Sequence, residues 1–112
     1  MEPYDPNEIW RRIEDILRPG GEYIGKPGGR GGRAKHVWKI PINEYEPESL
    51  FRELTEGGVE LDGSEYPGVL VDLPGLGAVG LRPPTGTKPY TMDVSIDGIR
   101  IDKWKFVEPE EY

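Results

Sequence analysis

Two runs of alternating residues constrain this fold more than any other feature of the sequence. From Val79 to Arg82, and again from Thr91 to Ile96, apolar residues alternate with glycine or polar residues. Because neighbouring side chains of a strand point to opposite sides of a sheet, each run predicts a strand with one apolar and one polar face. The apolar face is expected to cover a core, and the polar face is where we look for function. The polar face would carry Arg82, Thr91, Asp93 and Ser95.

The loop between these two predicted strands, residues 83–90, has the composition of an anion-binding loop. It combines three prolines and a glycine with two threonines and a lysine. Hydroxyl and ammonium groups donate hydrogen bonds to phosphate oxygens, so Thr85, Thr87 and Lys88 are candidate anion ligands. Loops of this composition also occur as plain solvated turns. On that alternative, Arg82 and Asp93 form only a cross-strand ion pair on a wet sheet face.

The remaining periodicity predicts an α+β domain. An amphipathic helix capped by Asp5 is expected up to Leu17, and a second helix is expected from Pro47 until the glycines at 57 and 58. Alternating residues predict strands at 37–42, 69–73, 78–82, 91–96 and 99–106, the last with a bulge near Asp102. We expect N-terminal helices packed on one face of a twisted four- to five-stranded antiparallel sheet. The length of 112 residues predicts one domain, 1–112.

The charges are segregated along the chain. The net charge of −7 argues against generic nucleic-acid binding. Residues 18–42 nevertheless hold six cations and one acid, whereas residues 43–77 hold nine acids and one arginine. The basic, glycine-rich arm at residues 18–36 offers phosphate contacts, with Arg30, Arg33 and Lys35 as candidate substrate-binding residues. Residues 108–112 form an acidic tail. The alternative is that the basic and acidic segments pair with each other across the surface.

The absence of cysteine and the single histidine narrow the chemistry. Without cysteine the chain has no disulfide, no thiolate zinc site and no cysteine nucleophile, and one histidine argues against a histidine-rich metal centre. No apolar run approaches the roughly 20 residues that span a bilayer, and the acidic N-terminus predicts no signal peptide. His36 is the side chain suited to general acid or base catalysis near neutral pH, although a lone histidine is often incidental.

Three segments of the chain carry a resemblance to known proteins. They are residues 17–28, which begin Leu-Arg-Pro-Gly-Gly, residues 48–58, and the run 79–96. Together they look similar to the C-terminal toxin domains of bacterial polymorphic and contact-dependent inhibition toxins. Domains of this size and order resemble the ribonuclease superfamily that includes barnase, EndoU, RelE and the tRNA-cleaving colicins. The resemblance implies a metal-free ribonuclease without a cofactor, with RNA such as tRNA as substrate and a cognate immunity protein as partner. It also implies secretion as part of a larger bacterial effector that acts in the cytoplasm of the target cell.

The resemblance further implies which residues do the chemistry. Metal-free RNA cleavage needs a base for the 2′-hydroxyl, cations for the phosphorane and an acid for the leaving 5′-oxygen. His36 would serve as base or acid, with Asp93 as an alternative base. EndoU-type sites use two histidines, which this chain excludes, so the assignment of base and acid stays open. The implied catalytic set is His36, Arg82, Lys88, Thr85, Thr87, Thr91 and Asp93.

A non-enzymatic acidic binding module, such as an immunity protein or adaptor, is the alternative function. Residues 43–77 would then be the working surface, and His36 would be incidental. An enzyme should lose activity on Arg82→Ala or His36→Ala without unfolding. A binding module should instead lose its partner on charge reversal at Glu44, Glu46 and Glu48.

Overall fold

Two α-helices and seven strands make up the regular structure of the described residues. The computed structural model describes residues 3–29 and 31–112, without the side chains of Arg33 and Ala34. The helices are α1 (Pro6–Leu17) and α2 (Pro47–Thr55). The strands are β1 (Lys26–Pro27), β2 (Val37–Pro41), β3 (Val59–Glu60), β4 (Val69–Leu73), β5 (Gly77–Arg82), β6 (Thr91–Ile96) and β7 (Lys103–Val107). Short 3-10 turns lie at Pro19–Gly21, Gly31–Lys35 and Pro109–Glu111.

Both helices begin where their capping residues predict. The Asp5 carboxylate accepts a hydrogen bond from the backbone N–H of Asn7 at 3.0 Å, and Pro6 occupies the first turn of α1. At the start of α2, the Glu46 carboxylate accepts from the backbone N–H of Ser49 at 2.6 Å, which lowers the pKa of Glu46. These caps satisfy backbone donors that the helices themselves leave without partners. Neither described helix is long and apolar enough to cross a membrane.

The sheet has seven strands in the order β1-β2-β7-β6-β5-β4-β3 and is mixed, because β2 runs parallel to β7 while every other neighbouring pair is antiparallel. The predicted four- to five-stranded antiparallel sheet is therefore wrong in strand number and in direction. The edge strands β1 and β3 have two residues each, which is too short for an alternating pattern to form. The direction of β2 follows from the long path through α2 and four later strands, which no local pattern encodes.

The final strand is shorter than its sequence pattern predicts. It begins only at Lys103, so residues 97–102 form a loop, although Ile99 and Ile101 within this loop are buried. The Asp97–Gly98 turn does form, closed by a hydrogen bond from Ile99 N–H to Ile96 O at 3.1 Å. The change of phase near Asp102 is thus the end of a loop that buries two isoleucines, rather than a bulge within a strand.

One core joins the helices to a single face of the sheet. Ile9, Ile13 and Leu17 of α1 and Leu50, Phe51 and Leu54 of α2 are buried in the same cluster as the apolar positions of the strands. Trp104 and Phe106 of β7 are fully buried there. Both helices thus pack on one face of the sheet in an α+β fold, and the opposite face carries polar residues.

Candidate functional site

Polar residues of three neighbouring strands meet on the open face of the sheet. In the strand register, Thr91 of β6 lies opposite Arg82 of β5 and Lys105 of β7. One step along the sheet, Asp93 lies opposite Lys103 of β7. Because opposed residues share a face, these side chains point to the same side, away from the helices. The face predicted to be polar is confirmed, and β7 adds two lysines to it.

A small basic pocket forms at this position. It has a volume of about 180 Å³, and its floor includes Thr91, which is buried with 6% of its surface exposed. No ion pair among the described residues involves any of its three lysines, so the pocket concentrates positive charge in a protein of net charge −7. Such a site attracts an anion, because its positive charges lie close together and solvent screens them only partly. The lining residues are Arg82, Lys88, Pro89, Thr91, Lys103 and Lys105.

Arg82 is held in place by a network at the edge of the pocket. Its Nε and Nη2 donate to the two carboxylate oxygens of Asp93, at 2.8 and 3.2 Å. The hydroxyl of Tyr66 donates to the same carboxylate at 2.5 Å. This bidentate contact fixes the plane of the guanidinium group, whereas a single hydrogen bond would leave it free to rotate. Arg82 and Asp93 therefore form the cross-strand ion pair that the solvated-turn alternative predicts. The pair has a fixed geometry, however, and lies beside lysines that have no ion-pair partner among the described residues.

Tyr66 reaches this network because Gly80 carries no side chain. A Cβ at Gly80 would lie 2.4 Å from Cζ of Tyr66, so any other residue would push the phenol off the sheet. Burial raises the pKa of Tyr66, and the hydrogen bond to Asp93 and the charge of Asp93 raise it further. The phenol consequently stays protonated and keeps donating to Asp93 across the physiological pH range.

The loop at residues 83–90 is a folded hairpin rather than a loose turn. Thr85 and Lys88 exchange two backbone hydrogen bonds, at 3.1 and 2.8 Å, across Gly86 and Thr87. Gly86 adopts a positive φ of 56°, which a two-residue hairpin turn favours. This hairpin brings Lys88 to the basic pocket. Thr85 and Thr87 are not among the lining residues of that pocket, although Thr87 lines a neighbouring cavity.

His36 lies outside the basic pocket. It directly precedes β2, and its backbone carbonyl accepts hydrogen bonds from the N–H groups of Asp102 and Lys103. Its Nδ1 is 3.3 Å from the Arg100 carbonyl oxygen and 3.9 Å from Oδ2 of Asp102. Its side chain is 53% exposed. The structure thus brings together Arg82, Lys88, Thr91 and Asp93 of the predicted set, but not His36.

The basic arm contributes no side chain to the pocket among its described residues. Arg30 lies outside the described residues, as does the side chain of Arg33, and Lys35 is exposed and does not line the pocket. The glycine-rich arm contains the short strand β1 and, after it, a 3-10 turn at Gly31–Lys35. Within the described side chains, no ion pair joins residues 18–42 to residues 43–77. The alternative that the basic and acidic segments pair with each other therefore has no support from these side chains.

Three residues of the site were missed by the sequence analysis. Lys103 and Lys105 alternate with Trp104 and Phe106, so the pattern of β7 already placed them on the polar face. Tyr66 lies in an irregular segment where no period predicts its direction. The one available signal was Gly80, because a glycine inside a strand marks the close approach of another group.

A larger cavity near the start of α1, of about 650 Å³, does not offer comparable chemistry. Its arginine, Arg12, donates through Nη2 to the carbonyl oxygens of Leu54 and Glu56, at 3.1 and 2.7 Å, and so closes the C-terminal end of α2. The hydroxyl of Tyr4 likewise donates to the Pro74 carbonyl oxygen. The Arg12 contacts join α1 to the end of α2, and the Tyr4 contact joins the segment before α1 to the turn after β4.

The chemistry of the basic pocket points to an anion rather than to a metal. Within residues 3–29 and 31–112, no group of three or more histidine, cysteine, aspartate or glutamate side chains is arranged to hold a metal ion. Lysine and arginine do not ligate metals at neutral pH, but they bind phosphate and carboxylate groups.

No family model, no curated protein and no solved structure matches this chain.

Proposed function

We propose that this protein is a metal-independent endoribonuclease of the bacterial toxin type, with the basic pocket as its active site. The observation that carries the proposal is the convergence of Arg82, Lys88, Lys103 and Lys105 on one small pocket over the buried Thr91. RNA offers a phosphodiester whose cleavage needs this concentration of positive charge. The resemblance of the sequence to toxin domains supports RNA, with tRNA as the first candidate substrate.

The pocket, together with the Asp93 carboxylate that Arg82 holds at its edge, supplies groups for each step of cleavage through the 2′-hydroxyl. The 2′-oxygen attacks the adjacent phosphorus, the bond from phosphorus to the 5′-oxygen breaks, and the products are a 2′,3′-cyclic phosphate and a 5′-hydroxyl. The carboxylate of Asp93 takes the proton of the 2′-hydroxyl, and a lysine ammonium donates one to the leaving 5′-oxygen. Arg82 and the remaining lysines stabilise the doubly charged phosphorane. Thr91 also lines the pocket, and its hydroxyl, which donates to Pro89 O at 3.3 Å, is a further candidate donor to a phosphate oxygen.

Tyr66 acts in this scheme as a positioning residue. Its hydroxyl holds Asp93, and Asp93 holds Arg82, so the phenol fixes the guanidinium without touching the substrate. His36 receives no role, because its side chain lies against Arg100 and Asp102, away from the pocket and from the Arg82–Asp93 pair at its edge.

The biological setting follows from the same proposal. The domain is delivered as part of a larger secreted effector and acts in the cytoplasm of the target cell. A cognate immunity protein protects the producer by presenting carboxylates to the three lysines of the pocket, which have no ion-pair partner among the described residues.

The direct test is incubation of the purified protein with total bacterial RNA in EDTA. We expect fragments that end in 2′,3′-cyclic phosphate, and a loss on the order of 10²–10³-fold with Arg82→Ala or Lys105→Ala. Arg52→Ala is the matched control, because it removes an exposed cation of α2 that, among the described residues, pairs only with Glu48 at 3.5 Å. If the RNA stays intact with folded protein at high concentration, both in EDTA and in Mg²⁺, the result would contradict the proposal.

An acidic binding module is the second candidate function. Glu44, Glu53 and Glu60 are exposed and make no ion pair with any described residue. A basic partner would be attracted to this surface. Under this function, reversing Glu44, Glu46 and Glu48 to lysine abolishes partner binding, while Arg82→Ala leaves it unchanged.

A further inference from the structure

A cavity of about 410 Å³ lies between the segment that follows α1 and the strand β2. None of its described lining residues lines the basic pocket. The two sites also lie on opposite faces of the sheet. Trp38 of the cavity is paired in register with the buried Trp104, whereas the neighbours of Trp104 in β7 line the basic pocket. The side chains that line the cavity are those of Arg18, Glu22, Tyr23, Trp38 and Arg100.

The tyrosine ring of this cavity holds two arginines. The guanidinium carbons of Arg18 and Arg100 lie 5.5 and 5.2 Å from the centre of the Tyr23 ring, within the range of cation–π contacts. The Tyr23 hydroxyl accepts a hydrogen bond from the backbone N–H of Arg100 at 3.0 Å, and the ring packs edge-on against Trp38. Both guanidinium groups are therefore held at the cavity before a ligand arrives, which lowers the ordering cost of binding.

The charges at this cavity are of both signs. Arg18 donates to the carboxylate of Glu14 at 2.8 Å, so its positive charge is already compensated. Arg100 and Glu22 are exposed, and neither takes part in an ion pair with any residue that the structure describes. One cation and one carboxylate thus remain for a ligand. A ligand that complements both of them carries one negative and one positive group.

Two buried N–H groups at this cavity find no acceptor within the described part of the chain. They are Nε of Arg18 and the indole Nε1 of Trp38. A buried donor without an acceptor destabilises the folded protein, and a ligand oxygen would satisfy it. Both atoms are shielded from water, so the exposed side chains of Glu22 and Arg100 must shift to admit that oxygen.

We propose that this cavity binds a small zwitterion of the α-amino-acid type. The ligand carboxylate accepts hydrogen bonds from Arg100 and from the two buried N–H groups, and the ligand ammonium donates to the carboxylate of Glu22. Phosphate or a plain carboxylic acid would instead place a second negative charge beside Glu22. The volume of about 410 Å³ suits a small molecule. The inference does not rest on the ribonuclease proposal, because the two sites share no described residue.

The test follows the indole N–H resonances of the full chain by NMR during addition of L-alanine or L-glutamine. The other two tryptophans are internal controls, since Trp10 Nε1 donates to Asp97 O and Trp104 Nε1 donates to Ile24 O, each at 3.1 Å. The resonance of Trp38 is identified by its loss in Trp38→Phe. We expect it to move downfield with either amino acid, and farther than the other two, because it gains an acceptor.

Acetate and methylammonium carry the two charges of an amino acid on separate molecules. We expect each to bind at least roughly tenfold more weakly than L-alanine, since each lacks one charged contact. Arg100→Gln should weaken binding of both amino acids and of acetate. Glu22→Gln should weaken binding of the amino acids and of methylammonium, but not of acetate. Arg52→Gln is the matched control, because it removes an exposed arginine of α2 and should change none of these affinities.

These outcomes decide the proposal. A Trp38 resonance that neither amino acid moves, in a folded protein, would overturn it. Acetate that binds as tightly as the amino acids, with no effect of Glu22→Gln on either, would overturn the assignment to a zwitterion. RNA cleavage by the same variants keeps this result separate from the ribonuclease proposal, because Arg100→Gln and Glu22→Gln leave every lining residue of the basic pocket unchanged.

Discussion

Two pairs of a cation and a carboxylate differ in how firmly this fold holds them. Arg82 meets Asp93 through two hydrogen bonds, at 2.8 and 3.2 Å, and both side chains are about 30% exposed. His36 approaches Asp102 at 3.9 Å, and the two side chains are 53% and 69% exposed. The first pair has a fixed geometry, whereas the second is a loose contact in water.

The difference comes from the neighbours of each pair. Arg82 and Asp93 lie on adjacent antiparallel strands, and Tyr66 covers them because Gly80 leaves room for its ring. His36 and Asp102 lie just outside β2 and β7, where the chain enters the sheet. A partly buried pair on a rigid sheet keeps its side chains in one orientation, as a functional site requires. An exposed pair contributes little to stability. The histidine was the more conspicuous candidate in the sequence, but the arginine is the better placed one.

Removing Arg82 should give the largest effect on stability. Within the described residues, Arg82→Ala leaves the partly buried carboxylate of Asp93 with Tyr66 as its one remaining side-chain donor. We expect a loss of about 1–3 kcal/mol in the free energy of unfolding. Urea unfolding measures this loss. Arg52→Ala removes an arginine that is 77% exposed and should change stability by less than about 0.5 kcal/mol. Equal losses in the two variants would mean that the Arg82 network adds nothing.

Removing the hydroxyl of Tyr66 should cost somewhat less. Tyr66→Phe keeps the ring over Gly80 but deletes a hydrogen bond to a carboxylate, and we expect a loss of about 1–2 kcal/mol. Gly80→Ala should displace the whole ring and cost at least as much. If the ring is the link, Gly80→Ala should add little once Tyr66 has been replaced by alanine, and urea unfolding of the single and double variants measures this. Full additivity would contradict the contact.

Alkaline pH should weaken the same network. Burial and Asp93 raise the pKa of Tyr66 above its unfolded value of about 10. The stability that Tyr66 contributes is therefore complete below about pH 10 and is lost as the pH rises from there through the higher pKa of the folded protein. The pKa values of Tyr4 and Tyr112 are raised as well, mainly by burial. The readout is thus the difference in unfolding free energy between the wild type and Tyr66→Phe, which should shrink above about pH 10. A difference that is constant with pH would refute the shift.

Removing His36 should give the smallest effect. His36→Ala and Asp102→Asn disrupt an exposed contact, and each should change the free energy of unfolding by less than about 0.5 kcal/mol. Under the proposed mechanism, His36→Ala also keeps RNA cleavage within about twofold of the wild type. A loss of cleavage as large as that of Arg82→Ala, in a folded protein, would return catalysis to the histidine and move the active site.

Local sequence patterns predicted many of the helices and strands and the faces that they bury. The caps of α1 and α2 and the alternation along β4, β5 and β6 predicted those elements and their buried faces, because period and capping depend on residues that are close in sequence. Alternation also placed Arg82, Thr91 and Asp93 on one face. The count of strands and the direction of β2 were wrong, because two-residue strands carry no period and parallel pairing is set by a distant partner.

The sequence by itself determined which side chains of β5 and β6 share the open face, since the alternation of a strand leaves no other choice. The tertiary structure decided what joins them there. It placed β7 beside β6, which brought in Lys103 and Lys105, and it folded Tyr66 over Gly80 to fix Arg82. It also left His36 just before the start of β2, outside the pocket. These contacts join residues far apart in the chain, so only the packing of the whole sheet creates them.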